Sequence, residues 1–305
     1  VLRSVETKGE ERMCIGVVAD ARRPAAATIE NLRAFASRMV EDGCRAVVAL
    51  GNMGRTADEI AKAYEALTAP AGKASGGESR RRGGGEMLLL AMPGTLEDMR
   101  EYRKAIGRLI LSGIPVVDLS KTRILAWPEI TLVSMPGHHR HDHLGAGWWA
   151  CGFTDGDVSA LDALLGEVEA SGGEGDALSP LLMVSHASPL MTGPDGLDMG
   201  FGYAHGGHEG LARLMRGRGF LGGAAAHVQE AGPAASRTLR WSPLGEGEWS
   251  SRMVVNPGSA DSVTHAARRP DCEEGSAAVI EIKKDPEKRS GRLLRHKTLC
   301  AVTPL

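Results

Sequence analysis

The chain has 305 residues, a formal net charge of −2, 42% hydrophobic residues and 24% charged ones. That is enough apolar material for a sizeable core, and the near balance of charge gives no electrostatic reason to expect nucleic acid or an anionic membrane as partner. No apolar run reaches the roughly 18 residues of a membrane span, and the polar start up to Arg12 shows no secretory signal. The five cysteines, Cys14, Cys44, Cys151, Cys272 and Cys300, form no CxxC pair. Cys14 and Cys44 sit in apolar, strand-like contexts and read as buried free thiols, which suits a reducing cytoplasm.

Residues 13–20 (MCIGVVAD) are an apolar run ending in a carboxylate, the pattern of a buried first strand. Thr28 predicts a helix cap, and Leu32, Phe35, Met39 and Val40 give the helix that follows an apolar face to about Asp42. Residues 45–51 read as a second strand ending at Asn52, and 56–67 as a helix. This alternation points to an α/β sheet with right-handed crossovers. Residues 71–86 (AGKASGGESRRRGGGE) have no hydrophobic period and read as a flexible surface insert, with phosphate binding by the arginine run at 80–82 the minor alternative. A third strand at 87–94 leads into Thr95 and a helix at 97–111, followed by short strands at 116–119 and 130–135. The second of these opens into a histidine tract at 138–143 (HHRHDH). A helix at 157–168 and a glycine-rich loop at 171–177 precede a strand at 181–186 that ends in His186. The segment from Tyr203 to Glu209 carries His205 and His208 into a helix ending near Arg216. A strand at 220–227 ends in His227, residues 237–255 look like a hairpin, and 277–283 and 292–299 close the chain. With no linker between separate cores, residues 1–305 are expected to form a single domain.

The strand ends are the chemically informative positions. Asp20, Asn52, Thr95, His186 and His227 each terminate a buried run, and Asn256 opens an Asn-Pro-Gly-Ser turn after another. Polar groups at the ends of successive strands are how an α/β sheet builds a site.

In order and spacing these phrases resemble the calcineurin-like metallophosphoesterases, over about residues 13–260. The family has Asp-x-His, Gly-Asp, Gly-Asn-His, a lone His, Gly-His-x-His and an Asn-Pro-Gly-Ser turn. Here the counterparts are Asp20-Ala-Arg22, Gly51-Asn52, Gly94-Thr95-Leu96, His186, His227-Val-Gln229 and Asn256-Pro-Gly-Ser259. The resemblance implies a four-layer α/β/β/α sandwich with two mixed β-sheets. It also implies a site in which two metal ions, bridged by an aspartate, generate hydroxide and neutralise a phosphoryl group.

The departures fall on the groups that chemistry needs. Arg22 replaces a histidine ligand, Asn52 the bridging aspartate, Leu96 the general acid and Gln229 the last histidine. An arginine carries a permanent charge and ligates nothing, so Arg22 is expected to stand in for a cation and pair with Asp20. What the resemblance leaves is a degraded metal site of Asp20, Asn52, His186 and His227, holding one divalent ion (manganese, zinc or iron) weakly or none. Arg22, Asn52, Thr95, His139 and Asn256 are the candidate anion-binding residues.

Two readings follow. In the first, the chain has lost two-metal hydrolysis and acts as a binding or assembly protein, with a protein partner, a second copy of itself or a phosphate-containing ligand. In the second, it is a phosphoesterase with a rebuilt single-metal site, where His186 and His227 hold the ion, a histidine of 138–143 joins them, and Arg22 and His186 serve catalysis. The plainer reading of the 138–143 tract is a solvated loop, and of His205 and His208 an ordinary helix entry. Trp148 and Trp149 read as core or loop anchors.

Overall fold

The computed structural model describes residues 12–68, 87–171, 179–200, 202, 204–262, 269–287 and 291–301. The insert at 71–86, with its arginine run, and residues 172–177 of the glycine-rich loop lie outside them. In chain order the elements are β1 (Arg12–Val18), α1 (Ala26–Glu41), β2 (Ala46–Ala49), α2 (Ala57–Thr68), β3 (Leu88–Ala91), α3 (Met99–Leu111), β4 (Val116–Asp118), β5 (Ile124–Ala126) and β6 (Thr131–Met135). Then come α4 (Asp155–Ser171), β7 (Leu181–Ser185), α5 (Glu209–Gly217), β8 (Gly222–Ala225), β9 (Ala234–Ser236), β10 (Met253–Asn256), β11 (Ser276–Lys284) and β12 (Arg292–Cys300).

The strands form two six-stranded mixed sheets, ordered β12-β11-β1-β2-β3-β4 and β5-β6-β7-β8-β10-β9. In each, four neighbouring strands run parallel (β1, β2, β3, β4 and β6, β7, β8, β10) and the remaining strands pair antiparallel. Strand alternation sorts the side chains into layers. Ile15, Val17, Val48 and Leu90 of the first sheet meet Leu132, Leu182, Val184 and Val255 of the second in a core between the sheets. The opposite faces pack on helices: Cys14, Val18, Val47 and Leu89 on α1, α2 and α3, and Val133, Met183 and Val254 on α4 and α5. This is the four-layer α/β/β/α order expected from the sequence. A strand buried on both faces cannot show a polar side, which explains the continuous apolar runs at β1, β2, β3 and β7.

Four local expectations change. Thr28 is not the cap of α1; the helix starts after Ala25 with no side-chain cap, and buried Thr28 instead donates to Asp261 Oδ1 at 3.1 Å. The presumed 237–255 hairpin is only the short antiparallel pairing of β9 with β10, with loop between. Strand β5, three residues long, was too short to show a period. Cys14 and Cys44 are a disulfide (Cα–Cα 4.4 Å), not free thiols, and Cys272 pairs with Cys300 (Cα–Cα 4.8 Å). Thirty residues separate the first pair in sequence, but parallel pairing of Ile15 with Ala46 brings Cys14 of β1 beside Cys44, just ahead of β2. Cys151 is the free cysteine, so the thiol argument for a reducing compartment does not hold. No helix among the described residues is long and apolar enough to cross a membrane.

Candidate metal centre

Both sets of parallel strands end at one edge, and loops from the two sheets interlock there. The His186 ring donates from Nδ1 to the Leu50 carbonyl at 2.8 Å, crossing from the second sheet to the first. Gly137 N–H donates to the Pro93 carbonyl at 3.0 Å, and Ser259 Oγ to the Asp20 carbonyl at 2.7 Å. Four non-glycine residues have positive φ among the described residues, and all lie here: Asp20 (55°), Arg22 (50°), Asn52 (59°) and His227 (69°). Each such residue costs on the order of 1 kcal/mol or more, and strain of this kind persists where surrounding structure enforces it for a purpose.

On the first-sheet side the polar groups satisfy one another. Asn52 donates through Nδ2 to Asp20 Oδ1 at 2.7 Å. Its Oδ1 accepts from Thr95 N–H (2.7 Å), Thr95 Oγ1 (3.2 Å) and Leu96 N–H (2.9 Å). Those two backbone donors fix which end of the amide is oxygen, and leave that oxygen turned into the β3 loop. Asp20 keeps Oδ2 buried with no partner. Burial pushes the Asp20 carboxyl above its ordinary range, opposed by the Asn52 hydrogen bond and the nearby His227 and Arg22. Arg22 is exposed and makes no ion pair with Asp20 among the described residues, so the expected direct pairing is replaced by longer-range attraction. Asn256 is 1% exposed and braces the turn it opens, donating to the Val228 carbonyl (2.7 Å) and accepting from Gly258 N–H (2.9 Å). Both ends of this side chain hold backbone, which leaves none for an anion.

One residue here escaped sequence reading. Glu97 is fully buried, and its two carboxylate oxygens accept Met53 N–H (2.7 Å) and Gly94 N–H (2.9 Å). It ties the loop after β2 to the loop after β3, the two loops that hold Asn52. Burial raises its carboxyl to about 7, opposed by those same backbone hydrogen bonds.

On the second-sheet side the histidines cluster. His227 Nε2 lies 2.8 Å from His143 Nδ1. The His138 ring lies 4.2 Å from that of His227 and 4.9 Å from that of His143, and His186 is 5.3 Å from His227. His138, His143 and His227 each offer a nitrogen, all within 4.8 Å of one another. Backbone bonds position His138, whose N–H donates to the Cys151 carbonyl (3.1 Å) and whose carbonyl accepts Phe153 N–H (3.2 Å). Gly137 precedes it with φ +76°, and a side chain there would run into the Cys151 carbonyl. His138 and His143 are therefore turned onto the site, while Arg140, His141 and Asp142 of the same tract are exposed.

Burial holds the imidazoles of His138, His186 and His227 neutral, and repulsion between neighbouring rings adds to it at His138 and His227. His186 is pushed down to about 4 and His227 to about 3, by burial first in both cases, and His138 falls further still. A neutral imidazole presents a lone pair, the form a transition metal binds. His186 meets this requirement best: its Nδ1 proton is held by Leu50, and its buried Nε2 has no partner. A metal-binding histidine is usually oriented by such a bond at its other nitrogen. His143 Nδ1 and His227 Nε2 are hydrogen-bonded to each other, a bond that ligation through these two nitrogens would displace. His138 uses Nδ1 to accept Arg140 N–H at 3.1 Å, a bond that ligation through this nitrogen would displace.

The remaining candidates lie around this group. His139 stacks on His138 (4.6 Å) and meets the edge of His208 (4.6 Å); its ring, lowered to about 4 by burial, brings no positive charge to an anion near neutral pH. His208 accepts Leu211 N–H through Nδ1 (3.2 Å) and caps α5. His205 pairs with buried Asp198 at 2.8 Å. Trp148 is 92% exposed and Trp149 57%, so neither anchors a core. Arg100 lies over the Trp149 ring at 4.1 Å, and Trp148 is 5.8 Å from His141.

Two cations do not fit this site. Asn52 has no negative charge and its oxygen is engaged, Leu96 has no proton to give, and Arg22 is a fixed cation. A single ion on the histidine side does fit the donors present, a group of ring nitrogens that includes the unpartnered Nε2 of His186.

No family model and no curated protein sequence matches the chain. Solved structures do share its architecture. The protein TT1561 of Thermus thermophilus superposes with a TM-score of 0.52 at 14% identity, covering 88% of this chain and 93% of that one. The phosphopantetheinyl hydrolase PptH of Mycobacterium tuberculosis gives 0.50 at 11% identity, over 82% and 91% of the two chains. GAP50, the anchor in the inner membrane complex of Plasmodium, gives 0.50 at 9% identity, over 93% and 83%. With its two mixed sheets, its helical outer layers and these structural neighbours, the chain has the calcineurin-like metallophosphoesterase fold.

Proposed function

We propose that this chain binds one divalent transition ion at the histidine centre and has lost the two-metal hydrolysis of its fold. The observation that carries the reading is the convergence of His138, His143 and His227, with nitrogens within 4.8 Å, beside the orphaned Nε2 of His186. These ligands come largely from a loop, at 138–143, that the family resemblance gives no ligand role. The aspartate-bridged side has instead become an internal hydrogen-bond network. A bound ion would supply Lewis acidity there; the chain's own contribution is to keep four imidazoles together and oriented, three of them, His138, His186 and His227, held neutral by burial. The fold itself does not choose between uses, since neighbours that share it include one described as a hydrolase and one described as an anchor. Loss of a bridging carboxylate and of a proton donor favours the binding role. The exposed Trp148 and Trp149 at the rim of the same loop favour a protein partner or a second copy of the chain.

The test is elemental analysis with zinc and manganese titration of stripped protein, run beside hydrolysis of bis(4-nitrophenyl) phosphate with manganese added. We expect one ion per chain, affinity lower by at least tenfold in His143→Ala and His227→Ala, and no turnover. Absence of binding at saturating zinc overturns the proposal. Turnover that disappears in His227→Ala supports the alternative, a single-ion phosphoesterase.

A further inference from the structure

Far from the histidine edge, the second sheet carries a second hollow, of about 250 Å³. It lies where α5 ends, where β8 begins and where the segment after β9 crosses. Its floor is apolar: Met215, Phe220 and Val254 are buried there, and Leu239 closes one side. Gly222 at the start of β8 lines it without a side chain, and a side chain there would collide with the Met253 backbone. Gly222 lies five positions before His227, so at about 3.3 Å per residue the hollow is some 15 Å from the metal centre.

The rim is unusual in charge. Arg216, Arg237, Arg240 and Arg252 all line it, and no acidic residue does. Arg237 is tied to Glu248 at 2.6 Å. Among the described residues, the guanidinium groups of Arg216, Arg240 and Arg252 have no carboxylate or hydrogen-bond partner. On a chain with a net charge of −2, three unpaired guanidiniums around one apolar hollow form a local excess of positive charge. All three are exposed and open to a ligand, and guanidinium pairs strongly with carboxylate or phosphate.

We propose that this hollow binds a single-chain amphiphile with an anionic head, an acyl carboxylate or an alkyl phosphate. The chain would lie on Met215, Phe220, Leu239 and Val254, and the head would be held by Arg216, Arg240 and Arg252. The volume is just below the ~300 Å³ lower bound of drug-sized pockets, so it suits one chain of moderate length and not a two-chain lipid.

The experiment is calorimetric titration of the whole chain with decanoate, decyl phosphate, decanol and inorganic phosphate, each below its aggregation limit. Saturable binding of at least one anionic amphiphile is expected, tighter by tenfold or more than decanol or inorganic phosphate. The tighter of decanoate and decyl phosphate identifies the head group. In an Arg216→Gln, Arg240→Gln, Arg252→Gln triple variant affinity should fall at least tenfold. Thr192→Trp, at an exposed lining position, should block the hollow and serves if the triple variant does not fold. Three results overturn the proposal: no binding of either amphiphile, decanol binding as tightly, or affinity unchanged in the folded variants.

Discussion

Replacing Glu97 by glutamine tests whether the site's frame is held by a buried, titrating carboxyl. Glu97 is fully buried with both oxygens on backbone N–H groups, and burial raises it from an ordinary 4.5 to about 7. The folded state therefore holds this proton over a range of pH in which the unfolded chain has released it. The stability it contributes is fully present below 4.5 and is lost as pH rises through about 7. At 1.36 kcal/mol per pH unit, that interval is worth about 3 kcal/mol. Glutamine has the same shape and does not titrate, but its NH₂ faces one of the two backbone donors. Leaving that donor unpaired costs about 1–3 kcal/mol at any pH. Urea denaturation at pH 5 should thus show Glu97→Gln weaker than the native protein by roughly 1–3 kcal/mol. By pH 8 the native protein should have lost about 3 kcal/mol relative to the variant, closing or reversing the gap. Other groups contribute equally to both proteins, so the difference isolates Glu97. Parallel pH profiles, or a gap that widens towards pH 8, would refute the argument.

Other consequences follow from single contacts. Asn52→Asp replaces the 2.7 Å donation to Asp20 with two carboxylates face to face, and sets a carboxylate oxygen in place of the donor. Without added metal the melting temperature should fall by several degrees, and manganese should recover part of the loss; no change without metal would show that the Asn52–Asp20 bond carries no weight. Gly94→Ala places a methyl group 2.8 Å from His186 Cε1 and against Asn52, so calorimetry should register a loss of about 1–3 kcal/mol, and an unaffected Tm would argue against the packing described. Titration of denatured, unreduced protein with a thiol reagent should find one thiol, Cys151, rather than five. Reduction should lower stability by about 3–4 kcal/mol for the 30-residue Cys14–Cys44 loop alone.

The fold was legible because its core strands are buried on both faces. Runs such as LLMVS at β7 cannot be surface structure, and the polar residue that stops each run marks the sheet edge where a site forms. Strand β5 and the loop-rich stretch before β10 were not legible, because ILA before a Trp-Pro turn and isolated bridges carry no period or long apolar run to read. The disulfides escaped for a related reason. Which cysteines meet depends on strand order and register, and no CxxC spacing announces that.

The site was half legible, and the division has a physical cause. Asp20, Asn52, His186 and His227 sit at strand ends, whose positions the backbone fixes, so sequence order located them. His138 and His143 sit on a loop, where sequence spacing says nothing about direction. Backbone bonds of Gly137 to Pro93, of His138 to Cys151 and Phe153, and of Ala146 to Thr95 turn that loop inward. Glu97 left no signal at all, because a glutamate ahead of a helix usually reads as a solvated first-turn residue. Its role appears only when two loops from different strands bring their N–H groups to it. The same contrast bears on function. Residues fixed by strands retain the outline of a two-metal site whether or not it works, whereas a loop folded inward against its polar character needs a reason to stay there. Four imidazoles whose neighbouring rings lie 4.2 to 5.3 Å apart would repel one another if protonated, and otherwise turn ring nitrogens towards one place. A shared cation turns that arrangement from a cost into a bond, and for that reason the histidine side of the cleft, not the aspartate side, is where a ligand should be sought.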